Sequence, residues 1–234
     1  LNSCDGYVAM SKSVMEEVKS FIPDASAIFL PHPIYNIFGE AVSKADARKK
    51  ISLDVGQKVI LFFGFIRAYK GLDLLLEAMS DERLKQLDLK LIVAGEFYDN
   101  QKLYSDLVDK LNLKDKVIFH SSYIPKEEVK YYFCASDMVV QPYRSATQSG
   151  ITQIAYHFEK PMLVTRVGGL PEIVHDGLVG YVTGIDPGSI SEAIHNFYTF
   201  NKEEEFTRNV KSEKERFTWK AFIEGITKLY EKIK

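Results

Sequence analysis

The stretch that decides the fold is Val139–Tyr181, which reads VVQPYRSATQSGITQIAYHFEKPMLVTRVGGLPEIVHDGLVGY. An apolar segment comes first, and Pro142 separates it from a polar loop. A segment with helical spacing over 151–158 follows, and then a second apolar segment that ends at a Gly-Gly turn. Such a loop lies at the carboxyl end of a strand and the amino end of a helix. In a parallel α/β sheet ligands bind at this point, and the free N–H groups of the helix favour an anion such as phosphate.

The composition is that of a chain that folds around a hydrophobic core. Of the 234 residues, 46% are hydrophobic, which excludes the disordered class. The 30 basic and 32 acidic residues give a formal charge of −2, so we do not expect nucleic acid as a partner. The two cysteines, Cys4 and Cys134, lie far apart, and no metal-ligand spacing is present, so we predict no metal site. No apolar run approaches the roughly 20 residues of a membrane-spanning helix.

Apolar segments alternate with segments of helical spacing along most of the chain. This alternation favours an α/β fold with a doubly wound parallel sheet of the Rossmann-like type. The predicted strands are 58–64, 89–94, 117–119, 138–141, 162–164 and 181–183. The predicted helices are 72–79, 103–111, 125–134, 151–158, 190–200 and 219–233, and the charged run 202–216 is interpreted as a solvated face or helix.

A boundary between two units is predicted near the start of the chain. A strand at 5–10, a helix at 14–21 and a short strand at 27–30 come before the sequence Pro-His-Pro at 31–33. Two prolines that flank one residue force extended backbone and stop both helix and sheet. We therefore predict a linker at residues 28–40.

The loop Gly64–Gly71, GFIRAYKG, leaves a predicted buried strand and enters a predicted helix. The two glycines allow a tight turn. Arg67 and Lys70 place two cations in one loop, a planar fork and a point charge, which suits a diphosphate. The alternative is that both cations are solvated beside the start of a helix, and the spacing alone does not separate the two interpretations.

A second anion-binding surface is predicted in the loop after the strand 138–141. Backbone N–H groups, hydroxyls and an amide are clustered there, and an ordinary helix cap is the alternative interpretation. The residues concerned are Thr147, Gln148, Ser149 and Gly150. Further along, Glu172 follows a Gly-Gly pair, and it fits a ligand contact and the first turn of a helix equally well.

Three motifs of other nucleotide-using enzymes do not occur. The sequence has no Gly-x-Gly-x-x-Gly, which disfavours a dinucleotide oxidoreductase. A Walker loop does not occur, which disfavours phosphoryl transfer from ATP. There is no Asp-x-Asp pair that would hold a divalent metal against a diphosphate.

Taken together, these residues resemble the C-terminal, donor-binding half of a family 4 glycosyltransferase of the GT-B fold. The resemblance covers most of residues 28–234, with its motifs in the family's order. Four motifs carry it: the glycine–basic–Lys-Gly loop at 64–71, the nucleobase-side pattern at 93–95, 117–119 and 123–125, the strand before the donor loop at 135–142, and the most specific segment, KP through GGLPE, at 160–172 with Asp176, Gly177 and Gly180.

The resemblance implies a retaining, metal-independent transferase that needs no cofactor and uses a nucleoside-diphosphate sugar, such as a UDP or GDP sugar, as donor. Arg67 and Lys70 are the expected catalytic side chains, which stabilise charge on the departing diphosphate. Tyr123 and Ile124 are expected to border the base. The full set of expected donor-binding residues is Gly64, Tyr123, Ile124, Thr147, Gln148, Ser149, Gly150, Gln153 and Glu172.

One feature departs from the family. Members usually carry two glutamates eight residues apart in the donor loop and the following helix, and the second binds the ribose hydroxyls. Here Ala146 and Ile154 stand at those positions, and no acid occurs between 144 and 158. Gln153 or Gln148 is the candidate replacement, through hydrogen bonding.

The resemblance also implies a division of the chain. Residues 1–27 correspond to the last strand and helix of the acceptor domain, 28–40 to the interdomain linker, 41–218 to the donor-binding domain, and 219–234 to a crossover helix. The rest of the acceptor domain, absent from the sequence, is then a partner within the same protein, and this half alone is expected to be inactive.

The acceptor implied by the resemblance is a saccharide, a lipid or a small molecule. The expected location is the cytoplasm, including the cytoplasmic face of a membrane that the missing half contacts peripherally. Two rival hypotheses stand beside the transferase: a catalytically silent nucleotide-binding or scaffold module, and a sugar-nucleotide epimerase of similar architecture.

Overall fold

Two parallel sheets organise the computed structural model, which describes residues 4–234. The small sheet pairs β1 (Tyr7–Ala9) with β2 (Ala27–Phe29), and α1 (Lys12–Phe21) connects the two strands. Because β2 is paired as far as its last residue, the small sheet includes the first two residues of the predicted linker 28–40.

Six strands form the larger sheet, and every neighbouring pair is parallel. Across the sheet the order is β5-β4-β3-β6-β7-β8, so the winding reverses between β3 and β6. In a doubly wound sheet, ligands bind outside the carboxyl ends of the two strands at this reversal. The predicted parallel sheet is confirmed, and its strands are β3 (Lys58–Phe63), β4 (Leu89–Ala94), β5 (Val117–His120), β6 (Met138–Gln141), β7 (Met162–Thr165) and β8 (Gly180–Thr183).

Helices cover both faces of this sheet, and none within residues 4–234 is long and apolar enough to cross a membrane. Short 3-10 turns occupy Ala68–Lys70 and Lys214–Phe217. The remaining helices are α2 (Lys44–Lys50), α3 (Leu72–Met79), α4 (Glu82–Lys85), α5 (Gln101–Lys110), α6 (Lys126–Ala135), α7 (Gly150–His157), α8 (Leu170–Ile173), α9 (Pro187–Thr199), α10 (Glu203–Glu213) and α11 (Trp219–Ile233).

The core lies in two layers, one on each face of the sheet. Along β3 the side chains alternate, so Leu61 and Phe63 enter one layer while Ile60 and Phe62 enter the other. All four are buried, which explains why a strand covered on both faces reads as an unbroken apolar run. Truncating such a side chain to Ala costs about 2–5 kcal/mol, so the packing of β3 holds its carboxyl end in place.

Helix α2 was not predicted, because the segment KADARKK has no apolar periodicity. Its buried residues are Ala47 and Arg48. The Arg48 guanidinium donates from Nη2 to Asp137 Oδ1 at 2.9 Å and from Nε to the carbonyl of Ala135 at 3.0 Å. A buried ion pair thus replaces the hydrophobic contact that would have marked this helix in the sequence. The charged run 202–216 contains α10, which buries Phe206 and Val210.

Helix α11 joins the end of the chain to the small sheet. A Cβ added at Gly225 would lie 2.3 Å from the side chain of Leu30, so the helix backbone approaches the residue after β2 very closely. The linker is held in turn by a hydrogen bond from the N–H of Ile34 to the carbonyl of Phe217 at 2.9 Å. On another side of α11 four large apolar residues are exposed, Trp219, Ile223, Ile226 and Tyr230.

Candidate functional site

Two loops meet where the strand order reverses. Residues 64–71 follow β3, and residues 142–149 follow β6. Gly71 has a φ of 69°, and a Cβ added there would lie 2.0 Å from the carbonyl oxygen of Pro142. Only glycine permits this conformation at this distance. Next to this contact, the N–H of Arg144 donates to the carbonyl of Tyr69 at 2.7 Å. The backbone therefore holds the two loops against each other.

Lys70 is the buried cation of this region, with a relative exposure of 8%. Burial, and secondarily the charge of Arg67, lower the pKa of Lys70 to about 8. Its Nζ lies 5.7 Å from the ring centre of Tyr143, and a Cβ added at Gly64 would lie 3.1 Å from it. No carboxylate among residues 4–234 forms an ion pair with Lys70. An anionic ligand would therefore supply its missing counter-charge.

A cavity of about 220 Å³ adjoins Lys70. Its walls are mostly apolar and aromatic, with one cation and one carboxylate, that of Glu96. Apolar walls with a few placed polar groups are typical of small-molecule sites. The lining residues are Phe63, Gly64, Phe65, Lys70, Gly95, Glu96, Tyr123, Ile124 and Ile151.

Arg67 differs from Lys70, although both lie in the same loop. It is exposed, and its guanidinium carbon lies 4.7 Å from the ring centre of Tyr98. Phe65 packs edge-on against the same Tyr98 ring, with 4.8 Å between the ring centres. The Arg67 side chain thus belongs to an aromatic cluster beside the cavity and does not line it.

The 147–150 turn begins α7. Ser149 Oγ accepts a hydrogen bond from the N–H of Ile151 at 3.2 Å and lies 3.3 Å from the hydroxyl oxygen of Tyr143. The carbonyl of Thr147 accepts from the N–H of Gly169 at 3.1 Å. The amino end of α7 borders the cavity through Ile151, whereas Thr147, Gln148, Ser149 and Gly150 do not line it. Ser149 therefore caps α7, and ligand binding by the residues of this turn stays a prediction.

Two buried glutamines carry unpaired polar atoms. Gln153, on α7, is 2% exposed, and its Oε1 has no hydrogen-bond partner in the described part of the chain. Gln141 ends β6 and is 1% exposed, and neither of its amide atoms is paired with any of the described residues. Leaving such a group unsatisfied costs about 1–3 kcal/mol. Both are candidates for ligand contact, and Gln141 was not among the residues predicted from the sequence.

Glu172 faces the amino end of α1. Its Oε2 accepts a hydrogen bond from the N–H of Lys12 at 2.8 Å. Close by, a Cβ added at Gly169 would lie 2.9 Å from the Cβ of the buried Ser11. Glu172 therefore lies where the small sheet's helix contacts the Gly-Gly turn, and it does not line the cavity.

Of the predicted site residues, Gly64, Lys70, Tyr123 and Ile124 come together around the cavity. Sequence reasoning missed Glu96, although it follows β4, which is paired with β3, and so lies at the same edge of the sheet. It also missed Tyr35. A Cβ added at Gly150 would lie 3.3 Å from Tyr35 Cε2, so the linker reaches the start of α7; no pattern in the sequence indicates this contact.

Larger cavities exist, and the one of about 550 Å³ that includes Asp137 lies at the amino ends of β3 and β6. Its buried carboxylate is already paired with Arg48 and Lys44. Because the buried charge of this cavity is already compensated, the smaller cavity beside Lys70 is the better candidate. Within residues 4–234, no three His, Cys, Asp or Glu side chains cluster in a way that could hold a metal ion.

Known proteins with similar sequences or structures include glycosyltransferases. D-inositol 3-phosphate glycosyltransferase from Thermobifida fusca is 30% identical over 168 residues, which are 67% of this chain and 38% of that protein. HepE from Anabaena, solved in complex with UDP, has a TM-score of 0.82 with 17% identity, over 98% of this chain and 64% of HepE. Sucrose-phosphate synthase from Thermosynechococcus elongatus has a TM-score of 0.79 with 21% identity, over 97% of this chain and 57% of the synthase.

The two solved structures share the fold, and this chain spans 38%, 43% and 51% of the length of three curated relatives. A sequence model of the family described as "Glycosyl transferases group 1" matches residues 43–217. That match contains both loops at the strand reversal and every residue that lines the cavity. The chain therefore belongs to the group 1 glycosyl transferases and has the Rossmann-like fold of GT-B enzymes.

Proposed function

We propose that this chain is the donor-binding half of a hexosyltransferase. It binds a nucleoside-diphosphate sugar beside Lys70, and the whole protein transfers the sugar to an acceptor with retention of configuration and without a metal. The observation that carries the proposal is a buried cation that has no ion-pair partner among residues 4–234, at a cavity where the strand order reverses. UDP bound to the similar HepE structure supports a UDP sugar, with a GDP sugar as the alternative.

Lys70 acts on the leaving group in this proposal. As the bond between the anomeric carbon and the diphosphate oxygen breaks, its electron pair stays on the diphosphate, where negative charge grows. The Lys70 ammonium stabilises that charge in a desolvated position, where an electrostatic interaction is strongest. Arg67 would move away from the ring of Tyr98 and contact the diphosphate from the edge of the cavity.

The remaining donor contacts are assigned to the walls of the cavity and to the neighbouring start of α7. Tyr123 and Ile124 border the base, and Gly64 lets the ligand approach the loop backbone. Gln153, or Gln148, hydrogen-bonds the ribose hydroxyls, and the unpaired Oε1 of Gln153 supports this assignment. The phosphate or sugar oxygens are met by the N–H groups and hydroxyls at the start of α7, which belong to Thr147, Ser149 and Gly150.

The proposal includes the division of the chain at 1–27, 28–40, 41–218 and 219–234. The small sheet then belongs to the acceptor half, the rest of which is the partner that completes the cleft. The exposed apolar residues of α11 support a contact on that side. The acceptor is a saccharide, lipid or small molecule, and the protein works in the cytoplasm, with membrane contact through the absent half.

Calorimetry with UDP and GDP tests the proposal on this chain, with Lys70→Met and the control Lys110→Met, which removes the same charge from an exposed position on α5. The wild type is expected to bind one nucleotide. Lys70→Met should weaken binding about tenfold or more, because a charge-assisted hydrogen bond contributes on the order of 1.5–3 kcal/mol. No binding of either nucleotide by the wild type, or an equal loss in the control, contradicts the proposal.

A catalytically silent nucleotide-binding module is the second candidate. The observation that favours it is the lack of any acid between 144 and 158, where Ala146 and Ile154 stand. Transfer or hydrolysis of a radiolabelled nucleotide sugar by the full-length protein would exclude this candidate. Nucleotide binding of normal strength without either reaction would favour it.

A further inference from the structure

A bidentate ion pair connects the loop after β6 to the start of α3. Arg144 donates from Nη1 to Asp73 Oδ1 at 2.7 Å and from Nη2 to Asp73 Oδ2 at 2.6 Å. Nη1 also donates to the carbonyl of Ala68 at 3.1 Å, and the backbone N–H of Arg144 donates to the carbonyl of Tyr69 at 2.7 Å. One residue of the second loop therefore contacts the chain on both sides of Lys70.

The contacts continue from this pair to the amino end of α7. The rings of Tyr69 and Tyr143 lie edge-to-face with 6.0 Å between centres, and the Nζ of Lys70 lies 5.7 Å from the Tyr143 ring. The Tyr143 hydroxyl oxygen is 3.3 Å from Ser149 Oγ, which caps α7. Tyr143 thus lies between the buried ammonium and the helix start, and Arg144 is the next residue along the chain.

Neither Arg144 nor Asp73 lines the cavity beside Lys70. They line a separate groove of about 540 Å³, together with residues of α3 and α5. Their side chains are 39% and 37% exposed, and exposed ion pairs contribute little to stability. Burial alone would raise the pKa of Asp73, but the hydrogen bonds and charge of Arg144 lower it below its usual value. The pair is therefore ionised at neutral pH.

We propose that Asp73 and Arg144 are positioning residues, whose ion pair clamps the 142–149 loop onto the turn Ala68–Lys70 and so sets where the Lys70 ammonium stands relative to the amino end of α7. The inference rests on the proposed function, because Lys70 and the α7 N–H groups have to meet the same diphosphate. Displacements of about 1 Å between groups that act together are enough to cost large factors in binding or rate.

The test uses Asp73→Asn, Arg144→Gln and the charge-swapped double variant Asp73→Arg with Arg144→Asp. Each single variant should weaken binding of UDP, or of GDP where GDP is the nucleotide bound, by about fivefold or more. The double variant restores an ion pair and should recover at least part of that loss. The control is Asp106→Asn, which breaks the exposed Lys102–Asp106 pair on α5 and should leave affinity unchanged.

The second measurement needs no nucleotide. The Lys70 amine is titrated by NMR of 13C-methylated lysines, with Lys70→Met to assign the signal. Loosening the loops admits water, so its pKa should rise from about 8 towards the ordinary 10.5 in the single variants. The groups that face Lys70 are Arg67 on its own loop, Tyr143 from the second loop, and Glu96 and Tyr123 across the cavity.

The possible results distinguish a failure of the clamp from a failure of the proposed function. Single variants with wild-type affinity and an unchanged Lys70 pKa overturn the clamp and leave the proposed function intact. Loss of affinity with a matching loss of thermal stability, and no recovery in the swap, also overturns it, because the pair is then merely structural. A wild type that binds neither nucleotide overturns the proposed function, and the clamp is then judged on the Lys70 pKa alone.

Discussion

The carboxylate of Glu172 accepts a hydrogen bond from the backbone N–H of Lys12 at 2.8 Å, across 160 residues of sequence. Glu172 belongs to the short helix after the Gly-Gly turn, and Lys12 is the first residue of α1. A carboxylate at this point satisfies one of the free N–H groups of α1 and opposes the positive end of its dipole. Glu172, for which the sequence favoured a ligand contact and a structural role equally, thus connects the small sheet's helix to the Gly-Gly turn.

Replacing Glu172 with Ala should reduce the free energy of unfolding by about 1 kcal/mol, the usual effect of losing a cap and its charge. Urea denaturation measures it, and Glu16→Ala, at an exposed position of α1, is the control. UDP affinity should stay at the wild-type value. Weaker UDP binding with unchanged stability would instead assign Glu172 to the donor.

The ammonium of Lys70 should make nucleotide binding and stability respond to pH in opposite directions. Its pKa is lowered to about 8, mainly by burial. Diphosphate affinity should fall as the pH rises through about 8, because the cation is lost. Calorimetry across this range measures the effect, which Lys70→Met should remove and Lys110→Met should retain.

The free energy of unfolding changes with pH in the opposite direction to the binding affinity. An unfolded Lys keeps its proton up to about 10.5, so between about 8 and 10.5 the unfolded state binds more protons than the folded state. The Lys70 contribution to the free energy of unfolding therefore rises with pH in this window. Below the window, the destabilisation caused by burying the charged amine is fully present. Urea titrations of the wild type and Lys70→Met should differ in slope against pH there; identical slopes contradict the burial of a charged amine.

Gly71→Ala should destabilise the protein far more than Gly177→Ala. Both glycines have a φ near 70°. At Gly71 the new Cβ would lie 2.0 Å from the Pro142 oxygen, whereas at Gly177 no atom of residues 4–234 lies within 4 Å. The positive φ alone costs roughly 1–2 kcal/mol. Urea denaturation should show that loss for Gly177→Ala and several times more for Gly71→Ala, together with weaker UDP binding. Equal effects would mean that the two loops are not held at this distance.

Asp137→Asn should cost about 3–5 kcal/mol of unfolding free energy, because it leaves Arg48 buried without its counter-charge. Asp137 accepts from Arg48 at 2.9 Å and from the N–H of Val59 at 2.7 Å. The matched variant Asp106→Asn breaks an exposed pair with Lys102 and should cost no more than about 0.5 kcal/mol. If the two variants had the same denaturation midpoint, the buried pair would not stabilise the protein by this amount.

The central strands β3, β6 and β7 were predictable because each is covered on both faces and reads as a short apolar run. Helix α2 was not, since its large buried side chain is Arg48, whose partner Asp137 lies 89 residues away. The same distinction holds in the site. Lys70 and Arg67 look alike in one loop, yet the first is buried at the cavity and the second lies on Tyr98. Spacing in an irregular loop carries no information about which side a residue faces.

The sequence by itself determined the alternation of strands and helices and the edge of the sheet where the loops gather. The reason is that the spacing of apolar residues and the positions of turn-forming residues are local properties of the chain. Only the tertiary structure decided that Lys70 alone of the two cations enters the cavity, that Glu172 meets Lys12, and that Arg144 pairs with Asp73. Those contacts join residues 71 to 160 positions apart or depend on burial. They form only when packed elements bring distant parts of the chain together.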